Sequence, residues 1–168
     1  MPDTMVARQP IFDDRQKLVG FELLYRHPEE TTAPQGDPST AIASSTVVRA
    51  VLDIGLEKLT EGERVWINFS RDLLLERAWE LLDPKSVVLE IPGSVVPDAD
   101  VVAACVDAKK RGYPIALGDF VWNEKWVPLI ELATTVKVDV LGKSAEQLTM
   151  IAAKLRSYRV TLLARRVE

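Results

Sequence analysis

The sequence predicts one α/β domain assembled from repeated β/α units, either a parallel barrel or a doubly wound sheet. Three observations carry this. Short apolar runs alternate with amphipathic helical patterns over most of the chain. The 168 residues, 47% hydrophobic and 27% charged, suffice for one sizeable core and are too few for two ordinary domains. Polar side chains interrupt otherwise apolar strands in or near their C-terminal ends, where both architectures build their sites.

Taken in order, "MVARQPIF" and "KLVGFELLYR" flank the polar "DDRQ" and predict a hairpin. Pro10 has no amide hydrogen to give to a ladder, which places the first strand at an edge. "HPEETTAPQGDPST" is aperiodic and rich in Pro, Thr and Glu, and predicts a loop. Over Thr40 to Leu59, Val48, Val51, Leu52, Leu56 and Leu59 recur at helical spacing, and Gly62 closes a single helix. The pattern then becomes regular. "RVWIN" is a strand, "RDLLLERAWELL" a helix, "SVVLEI" a strand, "DADVVAACVDAKKRG" a helix and "PIALGDF" a strand. "VPLIELA" is a short helix, "TVKVDV" a strand, "SAEQLTMIAAKLRS" a helix opened by a capping box of Ser144 and Gln147, and "VTLLA" a strand.

Composition excludes several functions. A net charge of −4 leaves no basic field to hold a nucleic-acid backbone. No window approaches the roughly 18 consecutive apolar residues of a membrane span, and "MPDTMVARQPIF" has no leader pattern, so a soluble cytoplasmic protein is expected. Cys105, the one cysteine, shares a helical face with Val101, Val102 and Ala108 and reads as a packed small hydrophobe. There is no glycine-rich phosphate loop, no HExxH and no paired CxxC.

Glu22, Asn68, Glu90, Asp119 and Lys137 each fall in, or at the C-terminal end of, an apolar strand. Converging on one mouth, they have the composition of a magnesium or manganese site, because hard cations take carboxylate and amide oxygens. Singly, the two glutamates read as exposed strand-end charges, Lys137 as a solvated or salt-bridged side chain and Asn68 as a turn former.

These segments resemble the EAL domains, whose active members hydrolyse cyclic di-GMP on a (β/α) TIM-barrel-like fold with two metal ions. "ARQPIFDDRQKLVGFELLYRHP" is similar to the family's opening, with Gln9, Pro10, Ile11, Asp13, Glu22, Leu23, Leu24 and Arg26. "WINFS", "VLEIPGS", "IALGDF", "VKVDV" and "LLARRVE" resemble, in order, the family's later strands. "GFELLYR", "LDIGLEKL" and "WINFSRDLLL" are similar to the reduced EAL domains that precede an HDOD domain, which this chain does not contain. The resemblance implies metal-ligand positions at Glu22, Asn68, Glu90 and Asp119, substrate contacts at Arg26 and Glu22, and activation of the attacking water at Lys137.

Departures from the family pattern imply that these roles are vestigial and the metal positions not occupied. Gly118 stands where active members carry the aspartate that bridges both metals. Gly93 and Arg165 replace two glutamates, and "VWNEKWVP" replaces a glycine-rich loop. Trp122 and Trp126 in that segment read as packing over the barrel mouth or, alternatively, as an exposed apolar patch for a partner. The chain stops at Glu168, so a barrel incomplete at its C-terminus is expected, with uncovered edges that favour self-association. The expectation is one EAL-like domain over 1–168, acting in signalling through a protein partner or self-association and needing no cofactor. The alternatives are a cyclic di-GMP receptor and a weak phosphodiesterase using magnesium or manganese.

Overall fold

The computed structural model describes residues 5–26 and 41–167, so the loop expected over 27–40 lies outside the described residues. Seven strands form one sheet in sequence order: β1 (Met5–Phe12), β2 (Leu18–Arg26), β3 (Val65–Asn68), β4 (Val87–Ile91), β5 (Ile115–Leu117), β6 (Thr135–Asp139) and β7 (Thr161–Arg165). The first pair is antiparallel, with Gln9 opposite Glu22 and Pro10 opposite Phe21. All later neighbours are parallel. β1 therefore occupies an edge, where the missing amide of Pro10 costs no ladder bond.

Strand parity sorts the two faces of the sheet, because successive side chains point to opposite sides. One set, Val65, Ile67, Val87, Leu89, Ile91, Ile115, Leu117, Val136 and Val138, joins the large core shared with the helices. The other set begins with Ile11, Trp66, Val88 and Ala116, against which Leu163 packs, in a second and smaller apolar cluster. Two residues beyond Trp66, Val88 and Ala116 on the same face come Asn68, Glu90 and Gly118. The inner face thus has an apolar floor and, next to it, a polar layer. Strands buried on both faces are continuous apolar runs, which is why a lone Glu or Lys within them stands out.

Trp66 fills the floor at the expense of its neighbour. A Cβ on Gly20 would lie 2.5 Å from Trp66 Cζ3 and 2.3 Å from the Arg64 carbonyl oxygen, so only glycine fits there. The indole Nε1 of Trp66 is buried and has no hydrogen-bond acceptor among the described residues.

The helices are α1 (Ala41–Ile54), α2 (Leu56–Thr60), α3 (Arg71–Leu75), α4 (Ala99–Lys110), α5 (Val127–Leu132) and α6 (Ala145–Leu155). Their caps follow the sequence: Asp98 accepts from the Val101 amide, and Ser144 and Gln147 form the reciprocal capping box. Two expectations need correction. The single helix predicted through Leu59 is two, because Gly55 takes φ +88° between α1 and α2. The helix predicted from Arg71 ends at Leu75; Arg77 adopts φ +60°, and a 3₁₀ turn follows over Ala78–Leu81. Trp122 and Trp126 take the packing reading rather than that of an exposed patch. Trp126 is buried, both indoles pack edge-on to Phe120 with ring centroids 6.4 Å away, and Trp122 also meets Tyr158 at 6.2 Å.

Candidate functional site

Four of the five strand residues meet in one hydrogen-bonded group. Lys137 Nζ donates to Glu22 Oε2 at 2.7 Å and to Glu90 Oε1 and Oε2 at 2.8 and 3.0 Å. Asn68 Nδ2 donates to Glu22 Oε1 at 3.4 Å. Glu22, Asn68, Glu90 and Lys137 are 7%, 6%, 3% and 2% exposed, so the reading of the glutamates as exposed strand-end charges is overturned. The reason is register: β2, β3, β4 and β6 turn these four side chains to the inner face, and the curl of the sheet closes them on one another.

One ammonium faces two carboxylates, which leaves one negative charge in surplus inside the fold. Burial is the largest influence on Glu90 and pushes its carboxyl up to about 7; Lys137 draws it down, and the negative charge of Glu22 raises it again. Burial alone would lower the Lys137 ammonium, but Glu90 and Glu22 outweigh it and hold its pKa above the ordinary lysine value.

Asp119 takes a separate partner. The chain leaves β5 at Leu117, Gly118 donates its amide to Ile91 O at 2.9 Å, and Asp119 adopts φ +46°. Its exposed carboxylate then forms an ion pair with Arg165 at the end of β7. The neighbouring Arg166 pairs in the same way with Asp139 at the end of β6. Arg165, the last residue of β7, and Arg166, just beyond it, therefore hold Asp119, just after β5, and Asp139, at the end of β6. The Arg165 charge also reaches Glu90, where it favours the ionised form.

The two glycines singled out in the sequence are tightly enclosed. A Cβ on Gly118 would fall 2.4 Å from Glu90 Oε1, and one on Gly93 would fall 2.7 Å from the Asp119 carbonyl oxygen. Glu90 thus occupies the space in which a side chain at 118 would begin. Arg26 closes β2 opposite Met5, and its side chain lies outside the described residues.

Lys137 and Arg165 are the cations that meet the carboxylates of Glu22, Glu90 and Asp119. The point on which the Glu22 and Glu90 oxygens converge is taken by Lys137 Nζ, and Asp119 is turned to Arg165. Among the described residues, no three His, Cys, Asp or Glu side chains are grouped to hold a metal. A cavity of about 260 Å³ lined by Ser45, Thr46, Arg49, Ala50, Asp53 and Ile54 of α1 shares no residue with this group. Sequence reasoning missed Trp66 as the floor of the site; its position two residues before Asn68 in one strand was the available signal.

An antiparallel first strand, followed by six parallel strands joined through helices, with its polar residues on the inner face, defines a (β/α) barrel-like class. Within that class the chain has the EAL-domain fold. The Vibrio cholerae LapD S helix-GGDEF-EAL structure bound to c-di-GMP superposes with a TM-score of 0.73 at 16% identity, over 98% of this chain and 48% of that one. The Bacillus subtilis YkuI protein, with an EAL domain in complex with c-di-GMP and calcium, gives 0.70 at 19% identity over 99% of this chain and 50% of that one. In sequence, the cyclic di-GMP phosphodiesterase CdgJ of Vibrio cholerae is 29% identical over 170 residues, 100% of this chain and 39% of its own length. The uncharacterized protein YuxH of Bacillus subtilis is 40% identical over 117 residues, 68% of this chain and 28% of its own length. No protein-family model matches the chain. It spans well under half the length of the two curated relatives and about half of these two solved structures. Among the described residues no helix is long and apolar enough to cross a membrane.

Proposed function

We propose that this chain is a non-catalytic EAL-type module of bacterial cyclic di-GMP signalling, working in the cytoplasm through protein contacts. The observation that carries the reading is the enclosure of Gly118. Two-metal hydrolysis relies on a ligand that holds both ions about 3.5–4 Å apart. At 118 there is no carboxylate, and the adjoining space belongs to Glu90. Arg165, paired with Asp119, takes a further oxygen donor away from any ion. Glu22, Asn68, Glu90, Asp119 and Lys137 are in this reading vestiges of a metal-dependent site.

Self-association is the expected form of the contact, and light scattering should show a dimer. Met150 of α6 is exposed, an apolar side chain of the kind that marks contact surfaces, so Met150→Lys should weaken it.

A receptor that binds cyclic di-GMP without cleaving it is the second reading, favoured by likeness to a LapD structure that binds the dinucleotide. Arg26 and Glu22 would then contact the ligand. Calorimetric titration with cyclic di-GMP, with and without magnesium, separates the two: heat of binding in either condition supports the receptor, and its absence in both supports the protein-contact module.

A further inference from the structure

We propose that α6 is the self-association helix of this chain, packed antiparallel on α6 of a second copy about a two-fold axis between the two Met150 side chains. Glu146 of each copy then faces Lys154 of the other. The inference rests on the self-association reading and deepens it by naming the surface and the charge pairs that set its register.

The helix turns one face to the sheet and the opposite face to solvent. Leu148, Ile151 and Leu155 belong to or pack against the large core. At about 100° per residue, Met150 lies roughly 140–160° around the helix from Leu148 and Leu155. It is 62% exposed. Glu146 and Lys154, both exposed, stand about one turn before and one turn after it, roughly 40° to either side. Each also complements its own helix dipole, with Glu146 in the first turn and Lys154 in the last. That accounts for their signs and leaves their partners open. Among the described residues neither is ion-paired within the chain, and the Lys154 ammonium rests 5.2 Å from the centroid of the Trp122 ring.

A two-fold axis at Met150 turns this placement into complementarity. In an antiparallel pair, residues at equal offsets on opposite sides of the axis oppose one another. Glu146 therefore meets Lys154 of the second copy, and Lys154 meets Glu146 of the second copy. Two identical ion pairs flank one methionine contact, as an isologous interface requires. The remaining offsets on this face set Gln147 against Ala153 and Lys143 against Ser157, so no like charges are opposed. A parallel pair would set Glu146 on Glu146 and Lys154 on Lys154, which repel. One short helix per copy makes a contact at the low end of specific interfaces, so the dimer is expected to be weak and concentration-dependent.

The test is sedimentation velocity over a concentration series on the wild-type chain, Glu146→Lys, Lys154→Glu, the variant carrying both reversals, and an equimolar mixture of the two single variants. Each single reversal turns two attractive pairs into two repulsive ones, and should weaken the dimer at least about tenfold. The double variant restores both pairs and should recover the dimer. The mixture should form a heterodimer, in which both pairs are again opposite in sign, although neither variant pairs well with itself. Raising the salt should weaken the wild-type dimer by screening these exposed pairs. A dimer that neither single variant weakens overturns the α6 pairing and leaves self-association standing through another face. Single variants that weaken the dimer, with no recovery in the double variant or the mixture, also overturn it. A wild-type monomer at every concentration overturns both the pairing and the self-association reading.

Discussion

Gly118 and Glu90 are packed so closely that the Cβ absent from the glycine would lie 2.4 Å from Glu90 Oε1. The carboxylate cannot simply step back, because Lys137 holds both of its oxygens. Gly118→Asp should therefore lower stability by about 1–3 kcal/mol, the usual cost of forcing atoms into a packed site, raised further by a third negative charge. Urea unfolding of the two proteins measures this. An unchanged midpoint would mean that Glu90 moves freely, contrary to the packing described.

Lys137 is the only cation that touches the buried glutamates among the described residues. Breaking a buried pair from one side typically costs about 3–5 kcal/mol, since an uncompensated charge remains. Lys137→Met should show a loss of that order in denaturant unfolding. Adding Glu22→Gln and Glu90→Gln should recover most of it, because no buried charge is left. A loss that persists in the triple variant would assign the effect to packing.

Glu90 gives the site a pH signature. Burial raises its carboxyl from 4.5 to about 7. Because the folded pKa lies above the unfolded one, the contribution of Glu90 to stability is fully present below 4.5 and is lost as pH rises through 7. Glu90→Gln, which resembles the protonated acid, escapes that loss. Relative to wild type, the variant should be more stable at about pH 8 than at about pH 5, as read from urea midpoints. An equal difference at both values would show that Glu90 does not titrate in this window.

Cys105 is fully buried on α4, and burial pushes its thiol up to about 12. At neutral pH it is neither accessible nor ionised, and the thiolate is the reactive form. Iodoacetamide should label it only in denaturant. Fast labelling of the native protein would place α4 away from the sheet.

The fold was legible in the sequence because its two periods are clean. Alternating β/α runs gave all seven strands, and the capping residues Asp98 and Ser144 marked helix starts that the structure repeats. Legibility failed where one residue's backbone overrode a periodic pattern: Gly55 splits a helix whose apolar spacing runs on through it, and Arg77 ends another in a left-handed conformation that its type does not announce. Within the site, strand placement picked out Glu22, Asn68, Glu90 and Lys137, since charged or amide side chains are rare in doubly buried strands. It could not reveal that Lys137 joins the two glutamates, or that Arg165 is the partner of Asp119. Those pairings depend on how the sheet curls, and no local pattern encodes the distance from β2 to β6. Trp66 escaped notice because an aromatic residue in a strand looks ordinary until its face is known.

The most direct measurement is product formation from cyclic di-GMP in magnesium and in manganese, by this chain and by a longer one that extends beyond Glu168. The account predicts no product above the protein-free background with either metal. Robust turnover by the unmodified protein, abolished by Glu22→Ala, would contradict it and make the chain a phosphodiesterase.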